Sequence, residues 1–343
     1  RSSARTPESD IYKSIDQPPE GLAKFECGRD VYFTGYPITV QNLRSDPIRN
    51  LLPDGDLHPP TSVLHRLILR TIGRPLWEYT SDRDLLAGFY DALLAHKTLC
   101  VQGILHHDIS AGNVLLTKTQ DTPLRGFITD LEFARIEAST LSKPRVTVKH
   151  NIGPQNRYDD RGRVLSRTEP MTRTHTIFES VVTVKRGASM TGTAQFMARR
   201  ILLQDVDRTM KHVVHEATHD VESFIWVLSY CVMRNLYHHA SQRSALKEVR
   251  DQSPALRLLL RQSFGQTTNM AIASQRHSHS YCLTFPNLLD VDQIITNFMS
   301  DALVALSHDI QGLVHRATDP FNPTPLTHDA LLSMVCHRLD SLS

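Results

Sequence analysis

The stretch His106-His107-Asp108-Ile109-Ser110-Ala111-Gly112-Asn113 sets an asparagine five residues after an aspartate, and a second aspartate, Asp130, closes the run Phe127-Ile128-Thr129. That order suits phosphoryl transfer from a nucleotide. One carboxylate accepts or orients the proton of an attacking hydroxyl, while an amide oxygen and another carboxylate hold Mg²⁺ against the phosphates. Taken singly, an aspartate or asparagine in a turn is more often a cap on its own backbone. The joint spacing turns three caps into one constellation.

Further segments fall in a fixed order around it. Leu64-His65-Arg66-Leu67-Ile68-Leu69-Arg70 runs into Gly73-Arg74-Pro75-Leu76, and downstream come Thr191-Gly192-Thr193-Ala194-Gln195-Phe196-Met197-Ala198 and His219-Asp220-Val221-Glu222-Ser223-Phe224. With these, the chain resembles the fungal-type branch of the eukaryotic protein kinase family over residues 8–235. The resemblance implies an α+β fold: an incomplete, strand-containing small lobe over residues 1–75 with the hinge, then a large, mainly helical lobe over 76–343. It also implies an ATP- and Mg²⁺-dependent transfer to serine or threonine hydroxyls of a protein substrate. A pseudokinase acting as a binding module is the alternative. A small-molecule kinase of the aminoglycoside or choline type ranks third, because those enzymes lack a peptide-positioning loop like Thr191–Ala198.

Residue by residue, the resemblance matches Asp108 to the catalytic aspartate and Asn113 and Asp130 to the magnesium ligands. Thr193 matches the substrate-positioning threonine, and Ser110 takes the substrate-positioning place where most serine/threonine kinases carry a lysine, a departure the fungal-type pattern shares. Glu8 matches the helix glutamate that helps hold the nucleotide. Asp220 matches the aspartate that braces the catalytic loop through backbone hydrogen bonds, with N-capping of its helix as a compatible use. The departures are equally specific. His107 stands where many kinases carry an arginine, and neutral imidazole is no substitute for a guanidinium fork. Leu131 and Glu132 replace Phe-Gly after the metal-binding aspartate, which puts the glycine-dependent flip in doubt. Arg199 and Arg200 replace an acidic end, so the family's ion pair there is lost or reversed. No Gly-x-Gly-x-x-Gly loop occurs in the chain, and no lysine sits on a strand preceding the helix of Glu8; with Glu8 so matched, the phosphate-covering strands are expected upstream of Arg1.

The elements that must position these residues follow from periodicity. A short helix is expected over Glu8–Ile15, and strands at Gly21–Phe25, Val31–Phe33 and Leu64–Arg70. Ser81 with Asp84 reads as a capping box before a helix presenting Leu85, Leu86, Phe89, Leu93 and Leu94 on one face. Val221–Val232 is apolar nearly all round and reads as a buried central helix. Further helices are expected near 253–263, 288–306 and 327–340, the last capped by Thr327. Residues 143–190 carry ten basic side chains against four acidic ones and little periodicity. They read as a solvated loop inserted in the activation segment, with 143–186 as a contact for acidic partners in the sharper reading.

Composition sets the frame. With 343 residues, 40% hydrophobic, 22% charged and a net charge of +2, the chain can bury a large core, and nothing points to specific nucleic-acid binding. Its longest apolar run, Phe224–Met233, is half the length of a membrane span, so no membrane contact is expected. Five scattered cysteines fit reduced thiols in the cytoplasm or nucleus better than disulfides or a zinc site. His215-Glu216-Ala217-Thr218-His219 copies the zinc-protease pattern. If a helix starts at Asp220, however, those histidines do not share one of its faces, and they read as incidental.

Overall fold

The computed structural model describes residues 5–33, 36–39, 62–118, 123–136, 147–152, 156–158, 164–167, 171–176, 193–206, 213–242, 247–276, 299–319 and 321–342. Helix α1 (Glu8–Lys13) starts after Pro7 with Glu8 and Asp10 in its first turn, where carboxylates meet the positive end of the helix dipole. It buries Ile11 and Tyr12. Strand β1 (Phe25–Asp30) pairs antiparallel with β4 (His65–Leu69), and β2 (Tyr32–Phe33) with β3 (Tyr36–Pro37).

Helix α2 (Asp82–Val101) is capped by Ser81, whose hydroxyl accepts the Asp84 N–H at 3.1 Å. Leu85, Leu86, Phe89 and Leu93 are fully buried, as their shared face requires. Leu94 is exposed, correcting its place on that face: nine residues beyond Leu85 at ~100° each is half a turn out of phase. Below this helix, β5 (Gly73–Pro75), β7 (Val114–Thr117) and β8 (Gly126–Ile128) form an antiparallel sheet in that order, while β6 (Ile104–Leu105) pairs with β9 (Arg135–Ile136). The sheet and helix touch through two glycines. A Cβ on Gly126 would lie 2.0 Å from the Gly88 carbonyl oxygen.

The strand expected at Gly21–Phe25 is displaced. Gly21 and Ala23 bracket β8 instead, Ile128 donating its N–H to the Gly21 carbonyl and Ala23 donating to Ile128, both at 2.9 Å. Gly21 is pressed against the Asp91 carbonyl and Ala95 with no room for a side chain, which ties this segment to α2. The regular pairing then begins only at Phe25.

The helical part comprises α3 (Arg199–Val206), α4 (Ala217–Ser241), α5 (Lys247–Asp251), α6 (Ser253–Phe264), α7 (Asn269–Gln275), α8 (Asp301–Ala317) and α9 (His328–Ser341). Helix α4 buries Val221, Phe224, Ile225, Val227, Leu228 and Val232 at the middle of the main core. Two boundaries move. Helix α4 starts at Ala217, capped by Glu216 in a reciprocal box with His219, so Asp220 lies in the first turn and is not the cap. The helix expected at 288–306 begins at Asp301, because the Ser300 hydroxyl takes the Leu303 N–H and caps it there. The 288–298 part of that expectation lies outside the described residues. Thr327 caps α9, accepting from Ala330 at 3.3 Å.

Residues 137–186 form one compact unit, and 1–136 with 187–343 form the other. Within the smaller unit, β10 (Thr147–Ile152) pairs with β13 (Met171–Thr176), and β11 (Asn156–Tyr158) with β12 (Val164–Arg167), all antiparallel. These nested ladders correct the expectation of a loop. Threonine and valine in these stretches favour extended backbone, but the order of residues along them shows no apolar–polar alternation to read. Among the described residues no helix is long and apolar enough to cross a membrane.

Candidate active site

The loop joining β6 to β7 carries Asp108, Ser110 and Asn113, and its shape is fixed from beneath by one buried carboxylate. Asp220 Oδ2 accepts the backbone N–H groups of His106 at 3.1 Å and His107 at 3.2 Å, and also His96 Nε2 at 3.0 Å. Its other oxygen accepts His215 Nε2 at 2.7 Å. Burial alone would raise the pKa of Asp220, but the hydrogen bonds from His215 and His96 outweigh it and hold the group well below the usual range. Such a carboxylate stays charged at the centre of a dry site.

Above this anchor the loop is satisfied in detail. His106 Nδ1 accepts the Asp108 N–H, and its Nε2 lies 3.0 Å from the Thr129 carbonyl, a pattern that fits the neutral ring that burial favours. His107 sits at a positive φ of 66°, its ring stacked on His215 at 4.1 Å between centroids. Burial, with the neighbouring His215, pushes its pKa down to about 3. The ring is therefore neutral and makes no cationic latch, as its replacement of arginine implied.

Asp108 is nearly buried and faces two partners. Its Oδ1 accepts the Thr193 N–H at 2.7 Å and the Thr193 hydroxyl at 3.2 Å. Asn113 Nδ2 donates to the Asp108 carbonyl at 2.9 Å and approaches Asp108 Oδ2 at 3.4 Å. The Ser110 carbonyl takes the Asn113 N–H at 3.0 Å, and its hydroxyl takes the Gly112 N–H at 3.3 Å, so Ser110 shapes the turn between aspartate and asparagine. Thr191 and Gly192 of the Thr191–Ala198 segment lie outside the described residues.

The second aspartate is tied to the first by backbone. Thr129 donates its N–H to the Asn113 carbonyl at 3.0 Å, which sets Asp130 beside Asn113. Asp130 itself takes φ of 66°, supplying the left-handed turn without a glycine, while Leu131 after it is fully buried. Glu8 reaches in from α1, its Oε1 accepting the Leu131 N–H at 2.9 Å. Burial first, then repulsion from Asp130, pushes the Glu8 pKa up to about 7. The structure thus brings Glu8, Asp108, Asn113, Asp130, Thr193 and Asp220 around one loop.

The acidic-end question also has a structural answer. Glu222 on α4 accepts the Arg199 backbone N–H at 2.8 Å and Trp226 Nε1 at 3.2 Å. Arg276 stacks over the Trp226 ring at 4.6 Å and donates to the Gln195 carbonyl, tying the segment after Thr193 to the helical part. His96 and the Asp220-binding role of His215 went unread in the sequence. The signal for His96 was a single polar residue on the buried face of α2, which periodicity treats as noise. As the zinc-protease reading required it to fail, His215 lies outside α4 and His219 inside it.

A family model described as fungal protein kinase matches residues 2–156 and 171–232, well over half of the chain. No curated protein matches.

Proposed function

The chain belongs to the fungal protein kinase family, and from that premise we propose that it transfers the γ-phosphoryl group of ATP to a serine or threonine hydroxyl of a protein. The observation that carries this reading is the double hydrogen bond from Thr193 to Asp108 Oδ1. It joins the loop that would hold the acceptor peptide to the carboxylate that would receive its proton.

In this reading Asp108 orients the acceptor hydroxyl. The oxygen of that hydroxyl bonds to the γ-phosphorus as the bond from that phosphorus to the β–γ bridging oxygen breaks. The hydroxyl proton passes to Asp108, and the electron pair leaves with ADP. Ser110 and Thr193 hold Asp108 and the acceptor in register. Asn113 and Asp130 would hold Mg²⁺, which when bound neutralises charge on the phosphate oxygens. The residues fit that ion. Asn113 Nδ2 is committed to the Asp108 carbonyl, leaving its amide oxygen as a donor for a hard cation. The Glu8–Asp130 repulsion marks a place where positive charge would be welcome.

A second reading, a nucleotide-independent binding module, is favoured by Glu8, whose carboxylate is spent on the Leu131 N–H. Radiolabel transfer from Mg²⁺-ATP separates the two. Transfer abolished by Asp108→Asn, with nucleotide binding retained, supports the kinase. Equal inactivity in this chain and in one extended upstream of Arg1 supports the module.

A further inference from the structure

We propose that His96, Cys100 and His328 form a binding site for a zinc-class transition metal, separate from the Asn113–Asp130 pair. The three donors come from two helices. His96 and Cys100 are four residues apart on α2, hence on one face, and His328 opens α9, 232 positions away in the chain. Their ligand atoms all lie within 4.8 Å of one another. Nitrogen and thiolate donors together are the set that zinc prefers, and Cys100, His96 and His328 supply three of the four positions of a tetrahedral ion.

The surroundings orient these donors as a metal site requires. His96 is fully buried, and its Nε2 is held by Asp220 at 3.0 Å, which turns Nδ1 toward His328 Nε2 at 2.7 Å. A carboxylate on the far nitrogen of a ligating histidine is the usual device that fixes ring and tautomer. The 2.7 Å gap is short enough to hold one shared proton, and that proton is what a metal cation would replace. Two imidazole ligands on a tetrahedral zinc stand ~3.3 Å apart, so His328 must withdraw by about half an ångström, a small shift for the first residue of a helix. Cys100 Sγ lies 3.7 Å from both ring nitrogens of His96. A nitrogen and a sulfur on one zinc are ~3.6 Å apart. The thiol must turn toward Nδ1 and release its proton on binding.

Scattered cysteines gave no hint of such a site, because the sequence separates the third donor from the other two. Its role would be structural. The ion would join α2 to α9 next to the carboxylate that braces the Asp108 loop.

The test uses the full chain, stripped with a chelator and titrated with Co²⁺ as a spectroscopic probe. The expected result is one tightly held Co²⁺ per chain, with thiolate-to-cobalt charge transfer in the near ultraviolet and displacement by Zn²⁺. Cys100→Ser should remove that band and weaken binding by ~10-fold or more while the circular dichroism of the fold persists. Cys27→Ser, Cys282→Ser and Cys336→Ser together should leave the band intact. His328→Gln provides a second route should Cys100→Ser not fold, with the same loss expected. Absence of the band in the unsubstituted chain, or its survival in Cys100→Ser, overturns the site and leaves a buried hydrogen-bonded chain from Asp220 to His328.

Discussion

Asp220 is the residue on which the candidate site depends most. It is 1% exposed and accepts four hydrogen bonds from four residues. Replacing it with alanine leaves two backbone N–H groups and two imidazoles without their acceptor, so a loss of about 3–5 kcal/mol is expected in denaturant unfolding. Asp130→Asn is a different experiment. It should leave the melting temperature nearly unchanged and weaken Mg²⁺-dependent nucleotide binding, read by calorimetry with and without the metal. The histidines predict a pH effect. His107 is pushed down to about 3 and His219 to about 4, both mainly by burial, from an ordinary 6.5. The unfolded chain binds those protons first, so the stabilisation is complete above pH 6.5 and drains away as pH falls toward 4. For His107 alone the loss is on the order of 3 kcal/mol at pH 4. His107→Gln should flatten the decline in melting temperature between pH 6.5 and 4; an unchanged slope would refute the assignment. At this scale the sequence singled out Asp108, Asn113 and Asp130 by type and spacing, and the structure links their segments by hydrogen bonds from Asn113 to Asp108 and from Thr129 to Asn113. It was silent on His96, whose partners are distant in the chain.

At the scale of elements, capping and periodicity read well and boundaries less so. Ser81 and Thr327 cap where their hydroxyls predicted, and α4 is the buried central helix expected at 221–232. Asp220 proved not to be a cap, because Glu216 and His219 satisfy the helix end between them and free the aspartate for the loop below. The ladders of 147–176 were illegible because nothing in them alternates between apolar and polar. The contact of α2 with β8 could not be read either, since two glycines 38 positions apart announce nothing by type. It nevertheless makes a firm prediction. Gly126→Ala places a methyl carbon against the Gly88 carbonyl, where backbone cannot yield cheaply. A destabilisation of about 1–3 kcal/mol or more is expected, with Gly112→Ala, near only the Ser110 hydroxyl, as the mild comparison.

For the whole molecule, the division into residues 137–186 and the remainder predicts separable stability. Replacing 137–186 with a flexible Gly/Ser linker of similar length should leave the melting temperature of the remaining unit within a few degrees; its collapse would mean the ladders support the rest. The order of the chain has a consequence in time. The loop bearing Asp108 leaves the ribosome well before Asp220, whose carboxylate lies 114 positions beyond His106. At a synthesis rate of about 5–20 residues per second, the interval is on the order of ten seconds. His328 follows later still. Throughout that interval His106, His107 and the hydrophobic strands beside them have no anion to organise around. The nascent chain must keep these apolar strands apart while it waits, an exposure that the stability of the finished fold does nothing to relieve.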